Sequence, residues 1–145
     1  MILMGIDLGK KRTGIALCDE TEILAYPECA IVEKSRTNLI NIIKNKIIDY
    51  KISKVILGLP KNMNGFLGES AQKIINFKEK MYKIMNLKDL EIELWDERLS
   101  TITAISKMRE FGISIKKQKM RIDAAAAVVI LQSYLDYMNN KKAKI

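Results

Sequence analysis

No histidine occurs among the 145 residues. Its absence removes whole classes of chemistry at once: histidine-based nucleophile triads, histidine-bearing zinc centres and an imidazole general base near neutral pH. A hydrolase built from this chain has to work with carboxylates, lysine, tyrosine, cysteine or a metal ion. Cysteine is scarce as well, and the two present, Cys18 and Cys29, fall in apolar strand-like segments. They read as a pair of reduced, packed thiols, the pattern of a cytosolic protein, and an extracellular staple is the alternative. The longest apolar runs, such as Ala124 to Leu131, fall far short of the roughly 20 residues that a membrane span needs. The chain opens on Met1-Ile2-Leu3-Met4-Gly5-Ile6-Asp7 with neither a basic leader nor a small-residue cleavage site. No signal peptide and no membrane association are therefore expected, and the cytoplasm is the expected compartment.

What is abundant is positive charge. Lysine and arginine total 25 against 17 acids, a net charge of +8. Such a surplus favours a polyanionic partner, because each neutralised phosphate releases counterions, although a solvated lysine-rich surface has the same composition. A hydrophobic fraction of 48% supplies a packed core, and the length suits one domain over residues 1–145.

The apolar pattern orders that domain. Residues 2–7 read as a buried strand, and Gly14 to Asp19 as its hairpin partner across the turn Gly9-Lys10-Lys11-Arg12-Thr13. Glu22 to Val32 reads as a third strand, with Pro27 marking a bend or an edge. Ser35 can cap a helix carrying Leu39, Ile40, Ile43 and Ile47, and Val55 to Leu59 is a short strand closed by Pro60. A second helix places Ala71, Ile74, Phe77, Met81 and Met85 on one face, and Glu91 to Asp96 is a fifth strand. Ser100 can cap a short helix ended by Gly112, and a last helix begins near Asp123 with a stripe of Ala124, Ala127, Val128, Leu131, Leu135 and Met138. A three-strand meander followed by βα units predicts an α/β fold, a mixed sheet with helices on its faces.

Three acids interrupt apolar settings or end strands: Asp7, Glu97 and Asp123. Carboxylates converging at a sheet edge attract Mg²⁺ or Mn²⁺, which prefer oxygen ligands and keep part of their water. Such ions activate water and stabilise the leaving oxygen in phosphodiester cleavage. Each acid also has an ordinary structural role open to it. Asp7 can hold the Gly9–Gly14 turn, Asp123 can sit at a helix start, and Glu97 can pair with Arg98 or a lysine. The cations Lys10, Lys11 and Arg12 beside Asp7 look like a phosphate grip. Arg98 follows Glu97, and the aperiodic stretch with Lys116, Lys117, Lys119 and Arg121 can track a nucleic-acid backbone. Trp95 reads as core, and Tyr134 and Tyr137 as helix packing or surface.

Four motifs then carry a resemblance over nearly the whole chain. They are Gly5-Ile6-Asp7-Leu8-Gly9 with Lys11-Arg12-Thr13-Gly14, Gly58-Leu59-Pro60 with Asn62-Met63-Asn64-Gly65, Asp96-Glu97-Arg98-Leu99-Ser100-Thr101, and Asp123-Ala124-Ala125-Ala126-Ala127. In this order they resemble the YqgF family of pre-16S ribosomal RNA nucleases and Holliday-junction-resolvase homologues. The resemblance implies a ribonuclease H-like fold, a five-stranded mixed sheet of order 3-2-1-4-5 with strand 2 antiparallel and helices on both faces. It implies an acidic metal site of Asp7, Glu97 and Asp123 holding Mg²⁺ or Mn²⁺. The implied partners are nucleic acid, precursor rRNA or branched DNA, together with ribosomal particles, for a monomer or weak homodimer. The sequence departs from related resolvases in one place. They end the fourth strand on an acid, where this chain has Gly58-Leu59-Pro60, so Glu97 would have to reach in from the fifth strand, roughly 4.8 Å farther out.

Overall fold

A computed structural model describes residues 1–60, 68–96 and 124–143. β1 (Ile2–Leu8) and β2 (Thr13–Cys18) form an antiparallel hairpin in which Asp7 lies opposite Gly14. The Gly9 N–H donates to the Arg12 carbonyl at 3.0 Å. A Cβ on residue 9 would lie 2.3 Å from that oxygen, so only glycine closes this turn.

β3 (Ala25–Ile31) pairs antiparallel with β2 and is shorter than its apolar run suggested. The residues before it form a tight turn around the Asp19 carboxylate, which accepts from the Thr21 hydroxyl at 2.6 Å and the Ile23 and Leu24 amides at 3.2 and 3.4 Å. Glu22 takes a left-handed φ of 58° there, which removes it from the strand. Pro27 lies in an edge strand beside a register shift, where a missing N–H costs no ladder bond.

α1 (Arg36–Asp49) starts as expected, with the Ser35 hydroxyl accepting from the Asn38 amide at 3.2 Å. β4 (Ile52–Leu59) runs parallel to β1 and begins three residues before the apolar run, because Ile52 already pairs with Ile2. α2 (Glu69–Met85) buries the five residues predicted for its face. β5 (Glu91–Asp96) adds parallel to β4, and α3 (Ala125–Ala143) is the last helix. The predicted helix after Ser100 lies outside the described residues.

The strand order is β3-β2-β1-β4-β5 with β2 antiparallel, the order the family resemblance implies. Strand alternation sends Met4, Ile6, Ile15, Leu17, Val55 and Leu57 toward α1 and α2. The opposite face sets Leu3, Ala16, Cys18, Ile56 and Trp95 against α3. Full burial of one such aliphatic side chain is worth about 1.5–3 kcal/mol, so both helical layers are driven onto the sheet by its two apolar faces. Cys18 and Cys29 are unbridged, as predicted, and burial pushes both thiols up, away from the reactive thiolate. Among the described residues no helix is long and apolar enough to cross a membrane.

α3 buries a wider face than its apolar stripe, because Gln132 and Ser133 are buried too. The Gln132 amide accepts from the Ala25 N–H at 2.8 Å and donates to the Ile23 carbonyl at 2.8 Å, tying the helix to the β2–β3 turn. Leucine at position 132 would keep the volume and strand the buried Ala25 N–H, while the part-buried Ile23 carbonyl can turn to water. Since a buried orphan costs about 1–3 kcal/mol, chemical denaturation of Gln132→Leu should show a loss of roughly 1–3 kcal/mol. A midpoint equal to that of the parent would mean that the amide does not hold the turn.

A candidate active site at the carboxyl ends of the central strands

Alternation along β1 places Leu3, Gly5 and Asp7 on the face covered by α3. Gly5 is where strand and helix nearly touch. A Cβ there would lie 2.7 Å from Leu131 Cβ and 2.9 Å from the Ala127 carbonyl oxygen. Farther along the helix, Tyr134, Leu135 and Met138 line a depression with Met1, Leu3 and Lys54, at the starting ends of β1 and β4. α3 therefore runs antiparallel to β1, and its first turn points toward the strand end that carries Asp7. In the sequence Gly5 is only one member of the Gly5-Ile6-Asp7-Leu8-Gly9 motif. Its role is to let the backbone of the last helix settle on the central strand.

Asp7 is half-buried, one pleat beyond Gly5 and two residues before the Gly9 turn. The turn is closed by its own backbone bond, and no described residue donates a hydrogen bond or offers an ion pair to the Asp7 carboxylate. Burial alone raises its pKa above 3.8. A half-buried carboxylate without a counter-charge is costly, and that cost is recovered when a cation binds it. The oxygen donor, its partial burial and its place at a strand end all suit a hard divalent ion.

Lys10, Lys11 and Arg12 stand exposed on the turn that follows Asp7. β3 and β4 end at the same end of the sheet as β1, and α1 and α2 begin there too. The positive ends of three helix dipoles thus point the same way as the cationic turn, which favours an approaching anion. β4 ends in Gly58 and Leu59, paired with Trp95 and Asp96 of β5. Glu97, Arg98, Lys116, Lys117, Lys119, Arg121 and Asp123 lie outside the described residues, and among the described residues no three acids or thiols gather in a metal-binding group.

Trp95 is core, as predicted, with its Nε1–H donating to the Ser133 hydroxyl at 3.2 Å and its ring edge-on to Tyr134 at 5.2 Å. Tyr134 is buried and Tyr137 exposed, so the two tyrosines split between the two roles the sequence allowed. One feature of this face had no sequence signal. Lys54 sits over the Tyr134 ring at 5.1 Å and bonds Glu93 at 2.7 Å. Burial pulls its ammonium down, but the bonds to Glu93 and Tyr134 outweigh burial and hold it protonated above its ordinary range.

The chain is similar to known proteins at two levels. Among solved structures it is similar to the Thermus thermophilus RuvC in complex with a Holliday junction substrate, with a TM-score of 0.66 at 12% identity, covering 97% of this chain and 96% of that one. It is also similar to the fowlpox virus resolvase bound to Holliday junction DNA, with a TM-score of 0.54 at 15% identity, over 95% and 99% of the two chains. These likenesses identify the ribonuclease H-like fold. In sequence, a protein of Halothermothrix orenii named "Putative pre-16S rRNA nuclease" is 39% identical over 96% of this chain and 97% of its own length. A protein of the same name from Natranaerobius thermophilus is 41% identical over 97% and 98%. The profile of the family described as "RuvX: Holliday junction resolvase" matches residues 1–137. On that match and those identities, the chain belongs to the RuvX (YqgF) family.

Proposed function

We propose that this chain, as a single domain over residues 1–145, is a divalent-metal-dependent nuclease that hydrolyses phosphodiester bonds while maturing the 16S ribosomal RNA precursor in the cytoplasm. The observation that carries the reading is Asp7, a half-buried carboxylate without a described partner, at a strand end flanked by exposed cations, in a chain whose relatives are named as nucleases. Asp7, Glu97 and Asp123 are the residues that would hold Mg²⁺ or Mn²⁺. Glu97 follows directly on Asp96, the last residue of β5. Asp123 directly precedes the described start of the last helix, whose Ala127 carbonyl lies over Gly5. When bound, such an ion would acidify a water and stabilise charge on the leaving oxygen. Asp7 contributes a fixed oxygen donor, and Lys10, Lys11 and Arg12 hold the phosphate backbone. Arg98, Lys116, Lys117, Lys119 and Arg121 extend that grip, and no group in it reads base edges. The protein acts as a monomer or weak homodimer on RNA that is free or within ribosomal particles.

The second reading keeps the chemistry and changes the substrate. The likeness to two resolvases bound to junction DNA favours a four-way DNA junction. Side-by-side cleavage of precursor rRNA and a four-way junction, each with Mn²⁺ and with EDTA, separates the two readings. Binding without cleavage of either would leave an RNA-binding module and end the nuclease proposal.

Two expected results follow from the charges. Replacing Lys11 and Arg12 with alanine should weaken every substrate alike. The dependence of log K on log salt should become shallower by about 0.9 per lost contact on duplex DNA and about 0.7 on single strands. A loss confined to one sequence would instead indicate base readout. The second result concerns pH. With no imidazole available, the cleavage rate should climb through neutrality, and the manganese curve should lie at lower pH than the magnesium curve. Saturating-substrate profiles in each metal test this, and a flat profile with full activity in EDTA would exclude metal dependence.

A further inference from the structure

The cations beside Asp7 do not stop at its turn. Thr13, the first residue of β2, pairs with Ile31, the last of β3, so the chain leaves β3 next to Lys10, Lys11 and Arg12. From there it crosses to α1, on the sheet face opposite the one that Asp7 shares with α3. Val32 is 71% exposed on this crossing, which is open to solvent. Lys34 follows, also exposed, and Arg36 opens α1 with its guanidinium 5.8 Å from the centre of the Phe77 ring. Lys73 of α2 is exposed and stands one turn before Phe77, on the same side of that helix. Lys34, Arg36 and Lys73 form no ion pair with a described residue, whereas Lys46 is paired with Glu28 at 3.8 Å and Lys54 with Glu93 at 2.7 Å. Two acids share the patch. Glu33 accepts from the Ser35 N–H at 3.1 Å, and Glu69 lies in the first turn of α2. Counted with the β1–β2 turn, six cations face Glu33, Glu69 and Asp7 at this end.

We propose that the nucleic-acid backbone on one side of the cut passes over the cationic turn to the α1–α2 side, where Lys34, Arg36 and Lys73 hold its phosphates. This path rests on the nuclease reading above and carries the substrate beyond the α3 face. Continuity selects the occupant, since the patch adjoins the turn that grips phosphates and one backbone can reach both. The Phe77 ring holds the Arg36 guanidinium in place, so less side-chain freedom is lost when a phosphate binds. The guanidinium fork also matches phosphate geometry, with two parallel N–H donors. An acidic protein segment would meet the same charge but no apolar pocket, because Phe77 is buried and Arg36 lies over its ring.

The test measures binding to the full chain in EDTA, apart from cleavage. Its probes are a uridine oligomer of about four nucleotides, enough for the turn alone, and one of about twelve, enough for both places. The parent should prefer the long oligomer. Lys34→Gln with Lys73→Gln should weaken the long oligomer about tenfold or more and remove most of that preference. The dependence of log K on log salt should become shallower by about 0.7 per lost contact. Both lysines are exposed, so this pair guards against misfolding of Arg36→Gln, which should act in the same direction. Lys83→Gln with Lys88→Gln removes the same charge at the far end of α2 and should leave the preference intact. Thymidine oligomers of DNA should repeat the pattern, because phosphate contacts ignore the sugar. Equal losses in the two lysine pairs would reduce the effect to net charge and overturn the proposal. So would a parental preference in the Lys34 and Lys73 variant, a preference confined to RNA or to DNA, or equal competition by an oligoglutamate of the same charge. A parent that binds neither oligomer would overturn the nuclease reading as well.

Discussion

Asp7→Asn should abolish cleavage, by about a thousandfold or more, and leave nucleic-acid affinity equal or slightly improved. A bound ion is worth several kcal/mol of charge stabilisation in the transition state, and each 1.4 kcal/mol is about tenfold in rate. Asparagine keeps the shape of the side chain and one weak oxygen donor but loses the charge that holds the ion. The grip on the phosphates comes from Lys10, Lys11 and Arg12, so removing a nearby negative charge cannot weaken it. Stability should move the other way from activity. An unfolded aspartate ionises near 3.8, and burial raises the folded value above it. The folded state therefore holds its proton to higher pH, and the cost of the buried charge is absent below about 3.8 and complete above the folded pKa. In EDTA at pH 7 the asparagine variant should melt at higher temperature than the parent, and the gain should vanish as pH falls toward 3.8. Wild-type cleavage by this variant would falsify the metal mechanism, and a lower melting temperature at pH 7 would mean that the carboxylate has a stabilising partner.

The second large effect comes from Gly5. A single methyl group there meets Leu131 Cβ at 2.7 Å and the Ala127 carbonyl at 2.9 Å, and neither contact is the yielding end of a flexible chain. The helix has to lift or slide. Overpacking of this kind costs about 1–3 kcal/mol, and for a chain of this size Gly5→Ala should lower the melting temperature by roughly 3–10 °C. Activity should fall further than stability, since the first turn of α3 follows the displaced backbone and a misplacement near 1 Å can cost about a hundredfold. Measuring cleavage well below the melting point separates the two losses. Parental melting behaviour would show that α3 does not bear on β1 as closely as the structure has it, while a destabilised variant with full activity would detach the position of α3 from catalysis.

Much of this protein is legible in its amino-acid sequence. Strand alternation and the three-to-four spacing of Leu39, Ile40, Ile43 and Ile47 or of Ala71, Ile74 and Phe77 define elements because each needs only its own apolar period to be recognised. The Ser35 cap is equally local. The absence of histidine limits the chemistry by itself, and Asp7 stands out because a carboxylate in an apolar strand demands a reason. What lay beyond the sequence depends on partners distant in the chain. β4 begins at Ile52 because Ile2 offers it a pairing edge, and Glu22 leaves its strand because Asp19 gathers the turn around its carboxylate. Gln132 interrupts an apolar stripe and is nevertheless buried, since the N–H and the carbonyl it satisfies, on Ala25 and Ile23, lie more than 100 residues earlier. Gly5 reads locally as a weak point in a strand, and only the helix that crosses it shows that the missing side chain is the space α3 occupies. The sequence by itself determined the elements, the order in which they occur and the chemistry available to them. The tertiary structure decided which ends meet, because contact between residues far apart in the chain depends on packing that no local period encodes.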